Sequence, residues 1–234
     1  MPSVVVDCFP SSVAHYRGDH AIVAVDVFRA TTTAVTAVAA GRACYPAASL
    51  DEAVELARTL ENPLLVGELG GSMPYGFDQN NSPAKLERRD DVHRPVVLLT
   101  SSGTELIAAA RGAPAVFAAA LRNHSAQAEQ VAGRYDRVAV IGAGTRLEFR
   151  EEDQLCCGWI AARLVDAGYE PENAGTRQVV DRWRDEPIQA ILRSASVEYL
   201  RSTGQEEDVD FVLSRVDDVD AVFAVENREI VRWS

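Results

Sequence analysis

Lysine is almost missing from this 234-residue chain: of 23 basic residues, Lys85 is the single lysine and the rest are arginines. Set against 35 acids, they leave a formal charge of −12, which denies the chain the basic face that a nucleic-acid partner requires. A small anionic ligand stays admissible, because charges beyond about 10 Å are largely screened at cellular salt and one local arginine can decide affinity. No apolar run approaches the roughly 20 residues that span a bilayer. The start, MPSVVVDCFP, lacks the basic region and long apolar core of a secretory signal. The chain therefore reads as cytoplasmic, with no membrane partner.

Cysteine is scarce. Cys8, Cys44, Cys156 and Cys157 form no CxxC, and the adjacent pair makes poor disulfide partners, so buried free thiols are expected. His15, His20, His93 and His124 show no metal-ligand spacing, which argues against zinc; His124 reads as structural or exposed rather than catalytic. No P-loop GxxxxGK[ST] occurs. In DVF (26–28), Phe28 stands where aspartyl-phosphate phosphatases carry a second acid. GAGTRL (142–147) imitates the start of a dinucleotide fingerprint, but Leu147 replaces its last glycine and the next helix begins only near Glu151.

What is present is an ordinary globular composition, 47% hydrophobic and 25% charged, in a chain long enough for a substantial core. Apolar, β-branched runs predict strands at SVVVDC (3–8), AIVAVDV (21–27), LLVGE (64–68), VVLLT (96–100), AVFAAA (115–120) and VAVIGA (138–143). Between them, Ala30–Ala40, Leu50–Leu60, Thr104–Arg111, His124–Arg134 and Glu151–Ala167 carry helical patterns. Strands without polar alternation, separated by helices, predict a layered α/β fold with a mainly parallel sheet flanked by helices. One domain over 1–234 is expected. Its tail (170–234) reads as a helix at Glu186–Ser202, an acidic turn at Glu206–Asp210 and two short strands, either a smaller subdomain or an antiparallel edge. AVTAVAAG and FAAAL suit core packing or a homodimer interface equally.

Ligands of open parallel sheets bind beyond the carboxyl ends of the strands. Here those ends run into RATTT, LGGSMPYGFDQNNSP, SSGTE, LRNHS and TRLEFREED, so a parallel sheet would gather five polar segments on one rim. The acids there are Asp26, Glu68, Asp78, Glu152 and Asp153, without a Cys or His cluster, an oxygen-only set suited to Mg²⁺. SSGTE (101–105) and ATTT (30–33) can turn backbone N–H groups toward an anion at a helix start, and Arg29 offers a planar fork for phosphate or carboxylate. Each feature also has a structural reading. Ser/Thr before a helix is usually a cap, and Glu151, Glu152 and Asp153 complement a helix dipole.

Taken in order, DVFRATTT, GELGG, GFDQNNSP, SSGT, LRN and AGTRLEFREEDQLC resemble the motifs of the 2-phosphosulfolactate phosphatase family (the ComB-like enzymes), and the tail is similar as well. The resemblance implies Mg²⁺-dependent hydrolysis of a phosphate monoester on a small sulfonated or carboxylated hydroxy acid, giving sulfolactate and phosphate on the way to coenzyme M in organisms that make it. It implies Asp26, Arg29, Glu68, Glu152 and Asp153 as catalytic, and Asp26, Glu68 and Asp78 as metal ligands. Arg29, Thr31, Asn81, Ser101, Ser102, Gly103, Thr104 and Asn123 are implied on the substrate side. Ser102 stands where the family commonly has Asn; Gly142, Leu147, Arg150 and Glu151 replace Cys, Gly, Ser and Leu. These departures spare the acids and alter the lining. The alternatives are a non-catalytic phospho-ligand binding protein on the same fold and, from GAGTRL alone, an NAD-linked oxidoreductase.

Overall fold

A computed structural model describes residues 1–145 and 148–233; Arg146, Leu147 and Ser234 lie outside them, and with them part of the GAGTRL reading. The chain runs β1 (Ser3–Cys8), β2 (Ala21–Val25), α1 (Ala30–Ala39), β3 (Cys44–Ala47), α2 (Leu50–Thr59), β4 (Leu64–Gly67), α3 (Pro83–Glu87), β5 (Val96–Leu99), α4 (Gly103–Ala109), β6 (Ala115–Ala119), α5 (His124–Val131) and β7 (Arg137–Gly142). It continues through α6 (Glu151–Asp166), β8 (Glu170–Pro171), α7 (Ala174–Trp183), a 3₁₀ turn (Ile188–Arg193), α8 (Ala195–Ser202), α9 (Glu206–Ser214), β9 (Val222–Glu226) and β10 (Glu229–Trp233). Among the described residues, no helix is long and apolar enough to cross a membrane.

The strands make one sheet in the order β4-β5-β3-β10-β9-β6-β2-β7-β1-β8. Each flank is parallel: β4, β5 and β3 on one side, and β6, β2, β7, β1 and β8 on the other. The layered α/β architecture is as the sequence predicts. The tail hairpin is antiparallel, but it lies in the interior of the sheet, with β10 against β3 and β9 against β6. The apolar stretch AVFAV (221–225), flanked by partners on both sides, buries more than an edge can, and Val222, Phe223 and Ile230 are fully enclosed.

The hairpin has a geometric consequence. Three antiparallel pairings in succession reverse the direction of one flank relative to the other. Five interstrand steps separate β5 from β2, and at roughly 20–25° of twist per step they rotate the strands by about 100–125°. The twist offsets most of the reversal and wraps the sheet around α1 and α4. The core records this. Ile22, Ala24 and Ile141 of one flank share a cluster with Leu64, Val66, Val96 and Leu98 of the other, through Val35 of α1 and Leu106 and Ile107 of α4. The alternate residues Val23, Val25 and Val140 pack outward on α5, α6 and α7, while Val97 and Leu99 pack on Ala53 and Leu56 of α2.

Several elements differ from the sequence reading. β3 (CYPA) is not among the expected strands because Pro46 breaks the pattern; β10 touches β3 only at Cys44, so Pro46 never has to donate on that side. The acidic turn is the first turn of α9, where Glu206, Glu207 and Asp208 complement the helix N-terminus. The expected helix at Glu186–Ser202 is interrupted at Ser194, whose hydroxyl accepts the Val197 N–H and starts α8 afresh. An additional helix, α7, begins at Asn173, whose side chain accepts the Thr176 N–H at 2.8 Å.

Candidate active site

Asp26 leaves the carboxyl end of β2 and is buried. Its Oδ1 accepts the Ala30 N–H at 3.1 Å, which fixes the carboxylate over the first turn of α1. Its Oδ2 faces Gly103 at the start of α4, so closely that a Cβ at Gly103 would lie 2.4 Å from it. Only glycine lets the end of β5 approach the end of β2 in this way. Through this contact the folded sheet brings the rims of its two flanks together.

Asp153, in the first turn of α6, reaches the same place from a third direction. Its Oδ1 accepts the Val27 N–H at 2.8 Å and its Oδ2 the Gly144 N–H at 3.3 Å. Glu152 beside it is 2% exposed, and its Oε2 has no hydrogen-bond partner among the described residues. Glu68, half-buried at the end of β4, accepts the Ser101 N–H (2.7 Å) on Oε1 and the Gly71 N–H (2.7 Å) and Ser101 hydroxyl (3.1 Å) on Oε2.

These acids perturb one another. Burial pushes Asp26 up to about 7, the charges of Glu68 and Glu152 add to it, and the Ala30 N–H and Arg29 oppose it. Asp153 is raised well above the ordinary carboxylate range by burial and by the charges of Asp26 and Glu152. Glu152 is raised by burial, against the Ser196 and Ser194 hydroxyls and the Arg150 charge. A cluster of buried acids without equal cationic compensation is costly to fold, and such clusters mark functional sites.

A cation beside Asp26 is held in place by other residues. Arg29, 6% exposed, donates from Nη1 to Asp208 and from Nη2 to Asn81 Oδ1 at 3.0 Å. Asp208 in turn accepts the Ser82 hydroxyl and the Ala84 N–H. Sequence reasoning proposed Arg29 and Asn81 without their anchor. Asp208, in the first turn of α9, falls within the expected acidic turn; the apolar residues Val209, Phe211 and Val212 that follow it are the available signal. Ser194 and Ser196 also emerge beside Glu152, from a segment that had no assigned role.

Several substrate-side candidates are occupied otherwise. The Thr31 hydroxyl accepts the Asp26 N–H (2.8 Å) and donates to the Asp26 carbonyl (2.9 Å). Thr104 repeats this device on Thr100, at 2.9 and 3.0 Å, and Asn123 Oδ1 accepts the Ala120 N–H at 2.9 Å. In each case the start of the following helix latches the residue just past the strand's end, which spends the side chain on backbone. Ser101 is engaged with Glu68, whereas the Ser102 side chain caps nothing in its own helix. Asp78 is not brought to the cluster. It accepts the Leu65 N–H at 2.8 Å and pairs with Arg94, three residues back along β4 from Glu68, or roughly 10 Å of extended chain. At the departures, the ring of Phe149 fills the space that a side chain at Gly142 would need, 2.4 Å from its Cβ position. The four thiols are buried and free, and burial pushes Cys156 and Cys157 far up, so they are inert as nucleophiles.

The strand ends of this twisted α/β sheet thus converge on buried carboxylates and an arginine anchored by Asp208 and Asn81. Residues 8–228 match the family described as 2-phosphosulpholactate phosphatase, and the chain belongs to that family of phosphoric monoester hydrolases. It is 36% identical to a protein of Thermus thermophilus, over 88% of this chain and 87% of that one. It is 33% identical to one of Synechococcus sp. strain JA-2-3B'a(2-13), over 80% and 81%, and 29% identical to one of Caldicellulosiruptor saccharolyticus, over 89% and 90%. Each relative carries the name "Probable 2-phosphosulfolactate phosphatase".

Proposed function

We propose that this chain is a Mg²⁺-dependent phosphatase that hydrolyses 2-phosphosulfolactate to sulfolactate and phosphate. The observation that carries the reading is the convergence of Asp26, Glu152 and Asp153, three buried carboxyls with raised proton affinity, beside an arginine whose orientation is fixed by Asp208 and Asn81.

The donor set fits a hard divalent cation. Asp26 Oδ2 meets no protein donor among the described residues and is left open by Gly103. No group of three or more His, Cys, Asp or Glu stands ready to enclose an ion among those residues, and Mg²⁺ is typically held by one or two carboxylates with waters and substrate phosphate making up the rest. Asp26 and Glu68 would hold it; Asp78, held beside β4 by the Leu65 N–H and Arg94, is left out of this set. When bound, Mg²⁺ supplies charge neutralisation for phosphoryl oxygens.

The chain's own groups do the remainder. Arg29 has two of its five N–H donors committed to Asp208 and Asn81, and the others are available to orient the phosphoryl group. Glu152 Oε2, buried and without a donor, accepts the proton of the attacking water, a task that its raised proton affinity suits. Asp153 keeps the ends of β2 and β7 in register around the site. The test is phosphate release from 2-phosphosulfolactate and phosphoglycolate with Mg²⁺ and with EDTA. Release that EDTA abolishes and Mg²⁺ restores is expected. Folded protein that releases none would turn the reading toward a phospho-ligand binding protein.

A further inference from the structure

We propose that Arg150 recognises the second acidic group of the substrate, the carboxylate or sulfonate that distinguishes a phosphorylated hydroxy acid from a simple phosphate ester. The inference rests on the phosphatase reading of the same site and adds the residue that selects the substrate.

Arg150 occupies the N-cap of α6, immediately before the turn that carries Glu152 and Asp153. Its positive charge is felt by Glu152, where it opposes the effect of burial. Its side chain is 16% exposed. Nη1 pairs with Glu148 Oε2 at 2.7 Å, a carboxylate that is itself 67% exposed. Nε is closed to solvent and has no acceptor among the described residues. A buried donor left unpaired costs about 1–3 kcal/mol, more when charged, so its retention calls for a partner. The neighbouring Glu152 is not that partner: the two form no ion pair, and Glu152 Oε2 is unpaired as well. The partner that Arg150 lacks among the described residues is therefore a group that the ligand brings.

That group is an anion with a planar or trigonal face. With Nη1 engaged by Glu148, the Nε–Nη2 edge of the guanidinium remains, and this edge binds carboxylate or sulfonate oxygens in parallel. Arg29 and Arg150 enter from different elements, the start of α1 and the start of α6. Two separately placed cations suit a ligand with two anionic ends. The family motif has serine at position 150, so this chain supplies a charged fork where a hydroxyl is expected.

The experiment measures kcat/KM of wild type, Arg150→Ser and Arg150→Lys on three esters in Mg²⁺: phosphoglycolate (carboxylate only), 2-sulfoethyl phosphate (sulfonate only) and ethyl phosphate (neither). The expected result is that Arg150→Ser lowers the preference for an acidic ester over ethyl phosphate by about 10–100-fold, the worth of a charged hydrogen bond. Arg150→Lys, which keeps the charge and loses the fork, retains part of that preference. The acidic ester that loses more identifies the group Arg150 binds. Serine is a good N-cap, so folding is expected to survive, and a thermal midpoint within a few degrees of wild type checks it. Parallel losses on all three esters, or a preference within twofold of wild type, overturn the proposal while the phosphatase reading stands. Wild type that releases no phosphate from any ester overturns both.

Discussion

The two ends of the β2–β7–β1 strands gather charged groups and treat them in opposite ways. At the amino ends, His20 lies between Asp19 (2.7 Å) and Glu172 (3.0 Å), Arg137 bonds the same two acids, and Ser3 donates to Glu172 at 2.6 Å. Every charge there is answered. Burial works to raise Glu172, but Ser3, His20 and Arg137 outweigh it and hold the carboxyl below its ordinary range. At the carboxyl ends, burial raises Asp26, Glu152 and Asp153, and repulsion from neighbouring acids adds to it at Asp26 and Asp153. One end is arranged to keep strands together. The other accepts an electrostatic cost on the same strands, as functional sites do.

The strongest way to break this contrast is Asp26→Asn. Turnover is expected to fall by about 10³-fold or more, the scale seen when a group acting directly on the reacting charge is removed, with a thermal midpoint equal to or above that of wild type. Near-normal phosphate release would remove Asp26 from the chemistry and leave the two ends alike.

The pH dependence of stability sharpens the same point, with opposite signs at the two ends. Asp26 has its proton affinity raised from an ordinary 3.8 to about 7. Between those values the folded state binds more protons than the unfolded, so Asp26 costs stability progressively as pH rises from about 4 to 7. The stability gap between Asp26→Asn and wild type, measured by urea unfolding without divalent cations, should be near zero at pH 4. It should widen to at most about 4 kcal/mol above pH 7. An equal gap at pH 4 and pH 8 would contradict the assigned burial of charge. Glu172, lowered in the fold, contributes stability that is present above its unfolded value and is lost as pH falls through the folded one.

A smaller effect is expected at the structural end. Glu172→Gln should destabilise by about 1–3 kcal/mol, because it weakens several charged hydrogen bonds at once, while kcat/KM per folded molecule stays within twofold of wild type. A tenfold kinetic loss would mean that the amino ends are not a passive clamp. The smallest effect concerns the latches. Thr104→Val removes the hydroxyl that closes the end of β5 and should cost about 1 kcal/mol, with KM unchanged. A tenfold rise in KM would return Thr104 to the substrate side, where the family resemblance puts it.

The latches show why the sequence was legible in part. ATTT, SSGT and LRN announced polar helix starts at strand ends, and the structure has them there. Whether a hydroxyl faces a ligand or its own backbone depends on side-chain rotamers and on neighbouring strands, which no local pattern encodes. Asp78 illustrates the same limit: its motif is intact, but the chain after β4 doubles back alongside that strand, with Gln79 bridged to Val66, so Asp78 is left short of the rim and Asn81 arrives at it. Arg29 could be chosen from sequence, and Asp208, 179 residues away, could not.

By itself the sequence determined the alternation of strands and helices, the oxygen-only character of the site and the order of its motifs, because these follow from local apolar periodicity and from the chemistry of the residues. Tertiary structure alone decided that the tail hairpin would sit inside the sheet and reverse one flank. It also decided that accumulated twist would fold the two rims together. Glu68 and Gly103 from one flank then meet Asp26 from the other, a contact set by the sum of many small interstrand rotations and by the close approach that one glycine allows.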